Sequence, residues 1–143
     1  MKLYLSEFNH DQLTGRHLDY LRVALLKKAL QDNGIEIIHY PDHQGYERIY
    51  EAIDSCDCVL CIVDKYWASS TWMATEATWG NGIGASESKK RDNPIPTFFY
   101  FIPEDYYCEF PSGYIGKAPG TYRLPADVTE AVCFIMKGGI PEK

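Results

Sequence analysis

Two periods of apolar residues alternate along the chain, and the switches between them mark its elements. Leu3 and Leu5 alternate with Tyr4 and Ser6, which predicts a first strand over 2–8. A polar loop over 9–15 leads into a helix over 14–32. There Leu18, Leu21, Leu25 and Leu30 form an apolar stripe, Val23 and Leu26 widen it, and Arg16, Arg22, Lys27 and Lys28 fall mostly off it. Asn33-Gly34 reads as the stop, because glycine supplies the left-handed cap. The β-branched run 35–40 predicts a second strand, 41–45 a loop, and 47–55 a short helix with Ile49 and Ile53 on one side. Residues 58–63 are apolar on both faces, the mark of a central strand covered on both sides.

A polar and aromatic loop over 64–71 follows, with Ser69, Ser70 and Thr71 offering N-cap oxygens to a helix over 72–79. Gly80-Asn81-Gly82 ends that helix, and 86–93 is charged loop. Residues 95–102 predict a fourth strand whose pairing begins after Pro96. The stretch 103–125 is rich in Tyr, Gly and Pro, too aromatic for a linker, and reads as an insertion that packs on the domain and covers the site. A last helix over 126–137 turns Val128, Val132 and either Ile135 or Met136 inward, and Gly138-Gly139 stops it.

Strands alternating with helices imply one α/β domain over 1–143: a flavodoxin-like open parallel sheet of four to five strands with helices on both faces. Right-handed crossovers bring the loops after strands one, two and three to a single rim, where open parallel sheets bind ligands.

Composition narrows the function classes. The 143 residues carry a formal charge of −6, and the basic run Lys89-Lys90-Arg91 is a solvated loop, so a nucleic-acid partner is disfavoured. No apolar stretch reaches the roughly 18–20 residues of a membrane helix. The N-terminus has no signal-peptide core, so the expectation is a cytoplasmic protein without a membrane partner. Five cysteines, an odd number, argue against a disulfide framework. Cys56, Cys58 and Cys61 have a spacing that suggests zinc, yet Cys58 and Cys61 point to opposite faces of a strand. They read as buried structural thiols, with no metal expected. Phosphate-loop, dinucleotide-fingerprint and nucleophile-elbow motifs are absent, and Gly80, Gly82 and Gly84 follow a helix rather than a strand.

One constellation remains. Trp72 and Glu76 stand four apart, on one face of a helix that begins at the ligand rim. On spacing alone two readings stand. Glu76 is a carboxylate facing the cleft, or it is a solvated first-turn acid beside a core tryptophan.

The run Ala52-Ile53-Asp54-Ser55-Cys56-Asp57, the apolar strand after it, and then Tyr66-Trp67-Ala68-Ser69-Ser70-Thr71-Trp72 with Glu76 resemble a Toll/interleukin-1 receptor (TIR) domain. In that family a helix ending in Ala-Ile-x-x-Ser precedes the third strand. A Tyr-x-x-Ser-x-Trp loop follows, with a Glu four residues after the Trp. The resemblance covers about 1–102. Ser6 falls near the end of the family's first strand. Asp42 and Gly45 resemble its loop after strand two, which is shorter here and lacks the usual proline.

The resemblance implies an enzyme that consumes NAD as substrate, without a cofactor. Many bacterial, plant and some animal TIR domains cleave the nicotinamide–ribose bond, and some cyclise the ADP-ribose into a signal, as in immune and anti-phage defence. It implies Glu76 as the catalytic residue, self-association through TIR surfaces, and a downstream effector that reads the product. A carboxylate beside a ribose that turns cationic suits that chemistry. Trp72, Phe8, Tyr66 and Trp67 offer stacking surfaces for the rings, and Ser6 and Ser70 offer hydroxyls for ribose or phosphate. Two alternatives stand beside it. One is a non-catalytic TIR interaction module. The other is an N-glycosidic enzyme like the nucleoside 2-deoxyribosyltransferases, whose rim layout is similar but whose Gly-Thr before the Glu is missing.

Overall fold

In a computed structural model, the residues described are 1–6, 17–38, 46–64, 95–102, 115 and 120–137. They form five strands, β1 (Lys2–Ser6), β2 (Glu36–Ile38), β3 (Cys58–Val63), β4 (Thr97–Phe101) and β5 (Thr121–Arg123). The helices are α1 (His17–Asp32), α2 (Tyr46–Asp54) and α3 (Val128–Met136).

The strands make one sheet in the order β2-β1-β3-β4-β5, and every pairing is parallel. The fold is therefore the expected flavodoxin-like α/β sheet, with five strands. β3 is its centre: all six residues are buried, as the unbroken apolar run requires. Register at the amino-terminal edge is fixed by a reciprocal clamp. The Lys2 N–H donates to Asp57 Oδ2 at 2.7 Å, and the Asp57 N–H donates to the Lys2 carbonyl at 2.8 Å.

Strand alternation splits the interior into two cores. Leu3, Leu5, Cys58, Leu60, Ile62, Phe98 and Tyr100 pack against α1 and α3. Tyr4, Val59, Cys61, Val63, Phe99 and Phe101 pack on the other face with Ile53 of α2. Helices thus cover both faces. The first strand does not separate a wet face from a dry one, because Leu3, Tyr4, Leu5 and Ser6 are all buried.

The stripe on α1 differs from expectation. Val23, Leu26 and Leu30 are buried, whereas Leu21 and Leu25 are 54% and 51% exposed. Steps of three and four residues join Leu18, Leu21 and Leu25 as well as Val23, Leu26 and Leu30, so periodicity alone leaves the rotation of the helix undetermined. The helix stop is as predicted. Gly34 has φ +81°, its N–H donates to the Gln31 carbonyl, and the Ile35 N–H donates to the Leu30 carbonyl at 3.1 Å. This is the paired bonding of a Schellman cap.

β5 was not predicted as a strand. It lies within the Tyr/Gly/Pro-rich stretch, and three residues are too few for an alternating pattern to show. An aromatic trio seats it: Phe98 stacks on Tyr122 at 5.6 Å between centroids, and Phe134 meets both edge-on at 6.0 and 5.8 Å. α3 starts two residues later than expected because Asp127 caps it, accepting from the Glu130 N–H at 2.9 Å. Of the two inward candidates, Ile135 is buried and Met136 is 48% exposed.

Among the described residues no helix is long and apolar enough to cross a membrane, and no cluster of His, Cys, Asp or Glu could hold a metal. Cys56, Cys58 and Cys61 are buried and in no disulfide, with Cys58 and Cys61 in opposite cores as strand geometry requires. Cys133 is exposed.

Candidate functional site

The strand order locates a cleft. From β1 the chain turns to one side to form β2, then crosses back over β1 to form β3 and continues outward. Connections leave the carboxyl ends of β1 and β3 in opposite directions, which opens the rim between them. Ligands of open α/β sheets bind at such a switch point.

Two polar residues stand there. Ser6 ends β1, paired in register with Cys61, and has no exposed surface. Parity puts it with Tyr4 and Cys61 on the face that α2 covers. Its hydroxyl is closed off from solvent in this structure. Asp64 follows the last residue of β3 and is 1% exposed. A buried carboxylate is costly unless its oxygens are satisfied, and both Asp64 and Ser6 have interaction partners.

Asp64 was read only as the first residue of a loop. The signal that singles it out is its position: an acid directly after six apolar residues is held at the mouth of the sheet by the burial of the strand that precedes it. Of the other predicted site residues, Glu76, Trp72, Ser70, Tyr66, Trp67 and Phe8 lie outside the described residues. The predicted helix over 72–79 lies outside them as well. The structure therefore brings the ends of β1 and β3 together and assigns no geometry to Glu76.

Two thiols of the third strand region, Cys56 and Cys58, are chemically quiet. Burial pushes the Cys58 thiol up to about 12, with the neighbouring Cys56 and Asp57 adding to the effect. Burial also raises Cys56, against the lowering effect of a hydrogen bond with Ser55. A thiol held protonated is neither a nucleophile nor a metal ligand at neutral pH.

Comparison with known proteins adds no family. No family model matches the chain, and no curated protein is similar to it. Among solved structures, the chain is similar to FerB, a flavoenzyme NAD(P)H:(acceptor) oxidoreductase from Paracoccus denitrificans. The identity is 14% and the TM-score 0.41, over 70% of this chain and 58% of that one. The chain thus spans less than two thirds of that structure, and a likeness this slight carries no argument about chemistry.

Proposed function

We propose that the protein is a TIR-type NAD glycohydrolase or ADP-ribose cyclase, with Glu76 as its catalytic carboxylate. The observation that supports this reading is the sheet order. In the order β2-β1-β3-β4-β5 the segment that begins after Asp64 starts at the switch point, and it carries Tyr66-x-x-x-Ser70-x-Trp72-x-x-x-Glu76, one residue longer between Tyr and Trp than the TIR pattern. A ligand-facing origin is what the motif needs in order to act.

The chemistry is economical. The bond between ribose C1′ and the pyridinium nitrogen breaks with its electron pair going to nitrogen, and nicotinamide departs neutral without needing a proton. The ribose is left as an oxocarbenium-like cation. The Glu76 carboxylate opposes that charge or binds the ribose hydroxyls. Water then adds at C1′ and loses a proton, giving ADP-ribose; a ring nitrogen of the adenine adding instead gives a cyclic product. Trp72, Phe8 and Tyr66 stack on the rings, and Ser6 and Ser70 bind ribose or phosphate. Such an enzyme works as a self-associating unit, and its product is the signal that an effector reads.

Product analysis tests this reading against its alternatives. Concentrated protein is incubated with NAD and with deoxynucleosides side by side, and the products are separated by mass spectrometry. Nicotinamide with ADP-ribose or its cyclic form supports the proposal. Base exchange on deoxynucleosides supports the transferase reading. Inert mixtures under self-associating conditions leave the interaction module and defeat the enzyme.

A further inference from the structure

We draw no further inference here: the strongest candidate, the stripe of exposed apolar residues Leu21, Ala24 and Leu25 on the outer face of α1, is an apolar helix face for which nothing among the described residues shows what covers it.

Discussion

Replacing Leu26 with alanine tests how α1 is set against the sheet. Leu26 is fully buried in the core shared with β1, β3 and α3, whereas its neighbour Leu25 is 51% exposed. Deleting the buried branch removes its transfer free energy and leaves a cavity that the surrounding side chains fill only in part, together about 3 kcal/mol. Unfolding entropy of about 2.1 cal/mol/K per residue, over 143 residues, gives about 300 cal/mol/K. The melting temperature should therefore fall by about 10 °C. Leu25→Ala removes surface that is already half in water and gains slightly in helix propensity, so it should move stability by about 0.5 kcal/mol or less. Thermal melts and urea titrations by circular dichroism read both variants. Equal losses in the two, or a larger loss at Leu25, would refute the rotation of the helix and the core built on it.

Three further changes probe separate features. Gly34→Ala meets no atom within 4 Å, so its cost comes from φ +81° alone: about 1 kcal/mol, visible as a fall in the urea midpoint. Asp127→Ala removes the acceptor for the Glu130 N–H and should cost about 1 kcal/mol, with the last helix fraying first in amide exchange. Cys58 makes stability fall in alkali. Its folded thiol keeps a proton up to about 12, whereas the unfolded chain releases it from about 9. The unfolded state thus binds fewer protons above pH 9. Stability is full below that pH and is lost as pH rises toward 12, at up to about 1.4 kcal/mol per pH unit. Cys58→Ala should flatten that slope in urea titrations at stepped pH, and an unchanged slope would contradict the assignment.

The parts of the fold that were legible in the sequence are those where burial leaves no choice. Residues 58–63 read as a central strand because both faces are apolar, and the strand has those bounds. Gly34 read as a stop because only a glycine takes that backbone conformation without strain. Legibility failed where two arrangements share one pattern. The leucines of α1 fit two stripes, and contact with β1 and α3 selects between them. The strand Thr121–Arg123 is specified by Phe98 and Phe134, distant in sequence, and so leaves no local trace. At the candidate site Ser6 was named and its burial was not foreseen. Asp64 was missed because an acid after a strand looks like the start of any loop. Its burial follows from the sheet order.

The central claim is the proposal that the protein cleaves NAD with Glu76 as its catalytic carboxylate. Proton NMR of NAD mixed with the concentrated protein measures it directly, through the appearance of free nicotinamide and the loss of the ribose anomeric signal beside the pyridinium. The account predicts steady release by the parent protein and no release by Glu76→Gln, which keeps the side-chain size and removes the charge, at unchanged melting temperature. Release that persists in Glu76→Gln, or an absence of release by the self-associated parent, would contradict it.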